Sequence, residues 1–243
     1  MSSYSILVPT YNEKDNVCVL VRRLFDIFES KIPGSKYEII VIDDNSPDCT
    51  WKIASEQFAR DPRVKVIRRM KDPGLSQSIV EGFENAGGDV MAVMDADLQH
   101  DETCLPGIFE LAETCDIVLG TRFSDGGSIE GGWPLSRRLM SFTANSMARI
   151  ILGIKISDPM SGFFAIRKSA YEKIRGKLDP RGFKILLEVF FTLKCVYPGA
   201  KFAEKGIRFR KRSAGESKMG FKVISEYLKS LIKLRARKKE LEA

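Results

Sequence analysis

Two carboxylates and an amide alternate in the segment DADLQ at residues 95–99, directly after the apolar run VMAVM at residues 90–94. Side chains two apart lie on the same side of an extended chain, so Asp95, Asp97 and Gln99 are expected to point together. Proteins bind Mg²⁺ and Mn²⁺ through a few carboxylate and carbonyl oxygens, and substrate phosphates often complete the coordination. The spacing therefore favours a divalent cation beside a phosphorylated substrate, and a pair of turn-capping aspartates is the alternative.

Polar side chains also follow two other strand-like runs. The segment PTYNE at residues 9–13 follows YSILV, and DDNSPD at residues 43–48 follows YEIIVI. The first segment offers an aromatic face and a carboxylate, and the second offers acceptors suited to a ribose or a base edge. A strand-ending turn is the alternative for the first segment, and a helix N-cap is the alternative for Asp48.

Basic side chains in the second half of the chain are candidates for holding phosphate. Arg122 follows a strand-like run, Arg137 and Arg138 begin a helix-like segment, and Arg212 and Lys218 flank a glycine-containing turn. Guanidinium and ammonium groups are common partners of phosphate oxygens. Any one of these residues taken alone is more often a surface charge than a ligand, so their role depends on the fold that brings them together.

Apolar strand-like runs alternate with amphipathic, helix-like segments along most of the chain. This alternation predicts an α/β fold, with a mostly parallel central sheet covered by helices on both faces. Such sheets bind ligands at the carboxyl ends of their strands, where the three polar clusters are expected to meet. The predicted strands span 4–8, 37–42, 64–67, 90–94, 117–121 and 161–167, and the predicted helices span 15–31, 50–60, 75–86, 135–152, 168–175, 183–195 and 218–241.

The 243 residues, 44% of them hydrophobic, are enough to form one large core. No apolar run reaches the roughly 18 to 20 residues that are needed to span a bilayer. The first residues lack the basic and cleavage features of a secretory signal, which predicts a cytoplasmic location. Five widely spaced cysteines and a single histidine, His100, favour reduced thiols over disulfides or a zinc site.

The net charge of +7 is concentrated late in the chain, because residues 205–239 hold 13 Lys and Arg against two Glu. Nucleic acid, anionic lipid and a phosphorylated substrate all suit such a segment, and a solvated helix face is the alternative. No nucleic-acid-binding motif accompanies the charge, so no nucleic-acid partner is expected. Residues 218–243 are predicted as a basic amphipathic helix after a globular domain at residues 1–217. Its apolar stripe suits a membrane surface, a small membrane-embedded subunit or packing on the core.

Six motifs, taken in order, resemble those of dolichyl-phosphate mannose synthases within the family-2 inverting glycosyltransferases. The resemblance covers about residues 4–232. Its first three motifs occur in many family-2 enzymes, whereas the complete ordered set is typical of the polyprenyl-phosphate branch. The motifs are PTYNE at 9–13, DDNSPD at 43–48, DADLQH at 95–100, DPMSGFFA at 158–165, GFKILLE at 182–188 and GESK at 215–218.

The resemblance implies a nucleotide-diphosphosugar transferase (GT-A) fold and a metal-dependent catalytic domain at residues 1–217. Asp97 and Gln99, together with Asp95, would hold Mg²⁺ or Mn²⁺, and Arg137 and Ser141 would meet the acceptor phosphate. Asp97, Arg122, Arg137 and Ser141 would be the catalytic set. The donor would be held by Pro9, Tyr11, Glu13, Ile42, Asp44, Asp95, Ala96, Asp97, Arg122, Arg212 and Lys218.

The implied reaction is inverting transfer of mannose from GDP-mannose to dolichyl phosphate or another polyprenyl phosphate, giving dolichyl β-D-mannosyl phosphate for protein glycosylation. A UDP-sugar donor such as UDP-glucose stays an alternative, because base recognition can depend on backbone atoms. A nucleic-acid-binding protein and a catalytically inactive scaffold are remoter alternatives. Peripheral association with the cytosolic face of a membrane is expected because the implied acceptor is a lipid.

Overall fold

A seven-stranded sheet forms the centre of the computed structural model, which describes residues 2–180, 185–211 and 221–242. The strands are β1 (Tyr4–Thr10), β2 (Tyr37–Asp43), β3 (Val64–Arg68), β4 (Val90–Val93), β5 (Ile117–Thr121), β6 (Ser128–Ile129), β7 (Phe164–Arg167), β8 (Phe202–Gly206) and β9 (Arg208–Phe209). The order in the main sheet is β3-β2-β1-β4-β7-β5-β8. Within this sheet β7 runs antiparallel to both of its neighbours, and the other pairs are parallel.

Helices cover both faces of the main sheet. They are α1 (Val17–Lys31), α2 (Thr50–Gln57), α3 (Leu75–Asn85), α4 (Leu105–Ala112), α5 (Leu135–Leu152), α6 (Lys168–Ile174), α7 (Ile185–Val196), α8 (Phe221–Ala236) and α9 (Lys238–Glu242). Successive residues of β1 alternate between two apolar cores: Ile6 and Val8 belong to the core with α1 and α4, and Leu7 belongs to the core with α3, α5 and α7. The three-layer arrangement confirms the predicted α/β fold.

Three strand ends bring the polar clusters to one edge of the sheet. Thr10 of β1 pairs with Asp43 of β2, and Leu7 pairs with Val93 of β4 on the other side of β1. The order of strands reverses here, since β2 and β3 lie on one side of β1 and β4 lies on the other. Ligands of open α/β sheets bind in the crevice at such a reversal. The predicted meeting of the three clusters at the carboxyl ends of the strands is confirmed.

The second half of the chain differs from the prediction in several elements. The sequence does not predict α4, whose helical pattern is interrupted by Pro106 and Gly107, nor the short, charged strand β8. The strand expected at 161–167 begins only at Phe164. Before Phe164 the chain turns, because the N–H of Ser161 donates to the carbonyl of Asp158 at 3.1 Å and the N–H of Phe163 donates to the hydroxyl of Ser161 at 3.2 Å. At Gly162, within this turn, a Cβ atom would lie 2.4 Å from Oδ2 of Asp95. The residues before Phe164 therefore belong to the candidate site and not to the sheet.

Part of the predicted apolar stripe of the C-terminal helix packs on the protein core. Tyr227, Leu231 and Leu234 are buried, and the hydroxyl of Tyr227 donates to the carbonyl of Ala144 in α5 at 3.2 Å. Of the three alternatives for this stripe, packing on the core holds for these three side chains, because they belong to the same apolar core as α5 and α7. Among the helices in the described ranges, none is both long enough and apolar enough to cross a bilayer.

Candidate active site

The two carboxylates of the DADLQ segment lie on a tight turn at the end of β4. Leu98 has a φ of +61°, which reverses the chain, and the main-chain N–H of Gln99 donates to Oδ1 of Asp97 at 3.1 Å. The N–H of Asp95 donates to Nδ1 of the buried His100 at 3.3 Å. Through this bond the imidazole ring is part of the turn that orients the carboxylates.

The side chain of Gln99 is held by the main chain of Arg210, which directly follows β9. Its Nε2 donates to the carbonyl of Arg210 at 3.1 Å, and the N–H of Arg210 donates to the carbonyl of Gln99 at 2.7 Å. This bond uses the amide nitrogen, so the carboxamide oxygen is the atom that suits a cation. Within the described ranges no three His, Cys, Asp or Glu side chains converge on one point. Two carboxylates and an amide oxygen nevertheless fit Mg²⁺ or Mn²⁺ when phosphate oxygens complete the coordination.

Asp43 ties the ends of β1 and β2 together. The fully buried carboxylate accepts from the hydroxyl of Thr10 at 2.8 Å, from the hydroxyl of Ser46 at 2.6 Å and from the N–H of Ser46 at 2.8 Å. The hydroxyl of Ser46 in turn accepts from the N–H of Asn12 at 3.0 Å. Asp43 and Asp44 both belong to the DDNSPD motif. The sequence alone does not show that Asp43 has a structural role, whereas Asp44 is predicted to bind the donor.

The neighbouring carboxylate of Asp44 is held by a buried arginine that the sequence analysis does not identify. Arg69 pairs with Oδ1 of Asp44, and Oδ2 accepts from the N–H of Gly74 at 2.7 Å. Arg69 also donates to Glu81 at 2.8 Å and to the hydroxyl of Ser78 at 3.0 Å. Because Arg69 directly follows β3, its place at the carboxyl end of a third strand is the signal that could have identified it.

The remaining donor-binding candidates occupy different environments along the crevice. Tyr11 directly follows β1 and is 53% exposed. The side chains of Ile42 and Ala96 are buried in the two cores, so any contact of these residues with a ligand falls to their main-chain atoms. Pro9 is buried within β1, and Oε2 of Glu13 accepts from the side-chain amide of Asn16 at 2.7 Å.

Asp48 is not the N-cap of α2, which is Cys49, but its side chain bonds the first residue of that helix. Its Oδ1 accepts from the N–H of Thr50 at 3.0 Å and from the hydroxyl of Thr50 at 2.6 Å, at the start of α2. Burial raises the pKa of this carboxyl, but the hydrogen bonds from Thr50 and Lys14 outweigh burial and leave the pKa below its ordinary value. The carboxylate therefore stabilises the loop that carries Asp43 and Asp44.

Arg122 is fixed in place by a buried carboxylate and by aromatic rings. Its Nε and Nη2 each donate to Asp158 at 2.7 Å, and the Asp158 side chain is fully buried. The guanidinium carbon lies 5.0 Å from the ring centroid of Trp133 and 5.2 Å from that of Phe209. A bidentate pair of this kind holds the guanidinium in one orientation. The segment between Asp158 and Gly162 therefore joins the predicted phosphate-binding arginine to the carboxylate of Asp95.

A cavity of about 820 Å³ lies beside Arg122, against one face of α5. It is lined by Arg122, Phe123, Ile129, Gly132, Trp133, Leu135, Arg138, Leu139, Ser141, Phe142, Asn145, Arg149 and Ser157. The predicted residues Arg122 and Ser141 thus meet in one cavity, whereas Arg137 stacks on Trp133 with its guanidinium carbon 4.4 Å from the ring centroid. Arg137 therefore lies next to the cavity wall and is not among the residues that line it.

Three further polar residues of α5 line the cavity. Arg138 is already a candidate for holding phosphate, whereas Asn145 and Arg149 are absent from the predicted site. Arg138, Asn145 and Arg149 share a helix face with Ser141, at spacings of three and four residues. The side chain of Asn145 is 2% exposed, and its carbonyl oxygen is buried without a hydrogen-bond partner. Helical spacing from Ser141 is the signal that could have identified Asn145 and Arg149. The predicted donor residues Arg212 and Lys218, with the motif at 215–218, lie outside the described residues.

The fold is the GT-A fold of nucleotide-sugar glycosyltransferases. The crystal structure of glucosyl-3-phosphoglycerate synthase from Mycobacterium tuberculosis, in complex with Mn²⁺, UDP and phosphoglyceric acid, has a TM-score of 0.71 at 16% identity and matches 98% of this chain and 78% of that one. Mannosyl-3-phosphoglycerate synthase from Rubrobacter xylanophilus has a TM-score of 0.65 at 16% identity, over 100% and 76% of the two chains. At these identities the comparison concerns the fold.

Residues 5–175 match the glycosyl transferase family 2 model, and the chain belongs to that family. Dolichol-phosphate mannosyltransferase from Saccharomyces cerevisiae is 38% identical, over 95% of this chain and 86% of the relative. Undecaprenyl-phosphate mannosyltransferase from Micrococcus luteus is 33% identical, over 90% and 88%. Dolichol-phosphate mannosyltransferase from Pyrococcus furiosus is 43% identical over 95% of this chain, which spans 63% of that relative's length. The resemblance to polyprenyl-phosphate mannosyltransferases is thereby confirmed.

Proposed function

We propose that this chain transfers mannose from GDP-mannose to the phosphate of dolichol or another polyprenol, with inversion at the anomeric carbon. The observation that carries this proposal is the cavity beside Arg122, whose lining combines Ser141 and three arginines with aromatic and aliphatic side chains. A lipid phosphate needs both kinds of surface, because its headgroup is charged and its chain is apolar. The names of the relatives support the same acceptor class and the same sugar.

The donor nucleotide would occupy the crevice at the ends of β1 and β2. Tyr11 offers an exposed ring for the base, and Asp44, fixed by Arg69 and Gly74, offers an oriented acceptor for a base or ribose donor group. Guanosine is the base we propose, as the motif resemblance implies. Arg212 and Lys218 would hold the diphosphate, as the motif resemblance implies.

Asp95, Asp97 and Gln99 would hold Mg²⁺ or Mn²⁺ next to the diphosphate. When bound, such a cation would act as a Lewis acid that stabilises the negative charge of the departing nucleotide. The chain's own contribution is the tight turn that sets both carboxylates at the end of β4, and the small Gly162 that leaves room for Asp95.

The acceptor phosphate can act as the nucleophile without a general base. A phosphate monoester has a second pKa near ~6, so it is largely dianionic at neutral pH. One of its oxygens would attack the anomeric carbon opposite the bond to the diphosphate, which forms the new C–O bond as the old one breaks and inverts the configuration. Arg122, Arg138 and Arg149 would offset the repulsion between acceptor and donor phosphates, with Ser141 donating a hydrogen bond and Arg137 supporting Trp133.

The C-terminal helices are proposed to support the catalytic domain at residues 1–217. Residues of α8 and α9 share an apolar core with α5 and α7, which ties the end of the chain to the cavity wall. Peripheral association with the cytosolic face of a membrane is part of the proposal, and so is an optional small membrane-embedded subunit. The surface that would make such contacts has to be sought outside the buried stripe.

One assay tests donor, acceptor and metal together. The purified full chain is incubated with dolichyl phosphate in detergent, with either GDP-mannose or UDP-glucose, and with Mg²⁺, Mn²⁺ or a chelator. Mass spectrometry is expected to detect hexosyl-phosphodolichol with GDP-mannose and a divalent cation, and none with the chelator. Product from UDP-glucose and not from GDP-mannose would overturn the donor assignment, and product in the presence of chelator would overturn the metal requirement.

A further inference from the structure

Four large apolar side chains form a line along the solvent face of α5. Leu135, Leu139, Phe142 and Ile150 are 81%, 64%, 65% and 80% exposed. Their spacings of four, three and eight residues keep them on one side of a helix, and Ser146 fills the open place in the line. We call these four side chains the outer face of α5. The line runs over 16 residues, from Leu135 to Ile150, which is about 22 Å along a helix.

The burial pattern of this helix is unusual for a soluble surface. Its inner side buries Ser141, Asn145, Ala148 and Leu152, two of which are polar. A helix that packs on a protein core normally turns its apolar side inward and its polar side to water. Here large apolar groups also occupy the solvent side, and a contiguous exposed apolar surface is typical of an interaction site.

The outer face continues directly into the cavity described above. Leu135, Leu139 and Phe142 line that cavity as well as the outer surface, together with Arg138 and Arg149. Phe123, which is 45% exposed, adds a further apolar group to the lining. An apolar surface flanked by arginines matches the boundary of a bilayer with anionic lipids, where hydrocarbon and negative headgroups lie side by side.

We propose that the outer face of α5 inserts into the surface of an anionic lipid bilayer and opens the cavity toward it. This inference rests on the proposed function, because a polyprenyl phosphate presents its headgroup at the bilayer surface while its chain stays in the hydrocarbon. The helix lies in the plane of the membrane, and Arg138 and Arg149 contact lipid phosphates beside the cavity. The membrane-contacting segment is thus α5 and not the buried stripe of α8.

The first test measures binding to protein-free vesicles without any substrate. The full chain is mixed with vesicles of phosphatidylcholine and phosphatidylglycerol that contain no polyprenol, and bound protein is separated by flotation. The Leu135→Ser/Ile150→Ser variant is expected to partition at least about tenfold more weakly, because two large apolar groups no longer insert. The matched control is Ile232→Ser on α8, where the isoleucine is 61% exposed but lies outside the outer face. It is expected to bind like the unchanged chain.

The second test separates membrane contact from catalysis. Ile150 lies on the outer face but is not among the cavity-lining residues, so Ile150→Ser is expected to act normally on a water-soluble, short-chain polyprenyl phosphate. With a long-chain acceptor embedded in vesicles, its rate is expected to fall several-fold. Normal vesicle binding without sugar transfer from any donor would contradict the proposed function and leave the membrane surface supported.

Two results would overturn the inference. One is failure of the unchanged chain to bind the protein-free vesicles, which would point to a protein partner for this surface. The other is an equal loss of binding in the Leu135→Ser/Ile150→Ser and Ile232→Ser variants, which would show that the outer face has no special role. Circular dichroism of each variant checks that the exposed substitutions leave the fold unchanged.

Discussion

The buried carboxylate of Asp158 accepts three hydrogen bonds from Arg122, one from the main chain at 3.2 Å and two from the guanidinium at 2.7 Å. This pair places one end of the DPMSGFFA segment against the cavity, while Gly162 lies against Asp95. A displacement at either end is therefore expected to affect both halves of the site.

Asp158→Asn is expected to lower the free energy of unfolding by about 3 kcal/mol, because it leaves the charge of Arg122 without its buried partner. Urea unfolding measures the change. The matched control is Glu130→Gln, which removes an exposed pair with Arg208 and is expected to cost less than about 1 kcal/mol. Equal losses in the two variants would contradict a special role for the buried pair.

Asp97→Ala is expected to reduce metal-dependent sugar transfer by on the order of 100-fold or more, because it removes a proposed cation ligand where charge develops on the donor. Steady-state rates across a Mn²⁺ titration measure the loss, and circular dichroism checks the fold. Asp26→Ala, at an exposed position of α1, is the control and is expected to be fully active. An Asp97→Ala enzyme with normal turnover would remove the metal-centred proposal.

Arg69→Lys is expected to raise the KM for the nucleotide-sugar about tenfold, with a smaller change in kcat. Lysine keeps the positive charge but cannot reproduce the planar set of bonds to Asp44, Glu81 and Ser78. The adjacent Arg68→Lys is the control, because Arg68 is exposed and donates to Asn45. Similar KM values for the two variants would show that Asp44 does not need Arg69 to bind the donor.

Asn145→Asp is expected to raise the KM for the polyprenyl phosphate by about tenfold or more, since it adds a negative charge to the wall of the acceptor cavity. Kinetics with the acceptor varied at saturating donor measure the effect. Thr192→Val is the control, because Thr192 is also buried with an unpartnered hydroxyl but lies in α7, away from the cavity lining. An unchanged acceptor KM in Asn145→Asp would place the acceptor phosphate elsewhere.

Local patterns determine much of this fold. Apolar runs predict the strands β1, β2 and β4, because a strand buried on both faces consists almost entirely of apolar residues. Apolar residues at helical spacing predict α1 and α5, because a helix buried on one side has an apolar residue at every third or fourth position. The polar clusters after the strands predict the edge that binds ligands, since parallel strands end together. The family resemblance then predicts that Asp97, Arg122 and Ser141 belong to one site.

Only the tertiary structure decides which surfaces these elements share. Arg69 pairs with Asp44, and Gly162 lies against Asp95, although the residues of each pair come from different elements. The burial of the side-chain oxygen of Asn145 depends on which face of α5 is covered. Helices α8 and α5 are both amphipathic in sequence. Tyr227, Leu231 and Leu234 of α8 are nevertheless buried, whereas the outer face of α5 is exposed. Helical spacing shows that a face is apolar, but the neighbours that cover it come from distant parts of the chain.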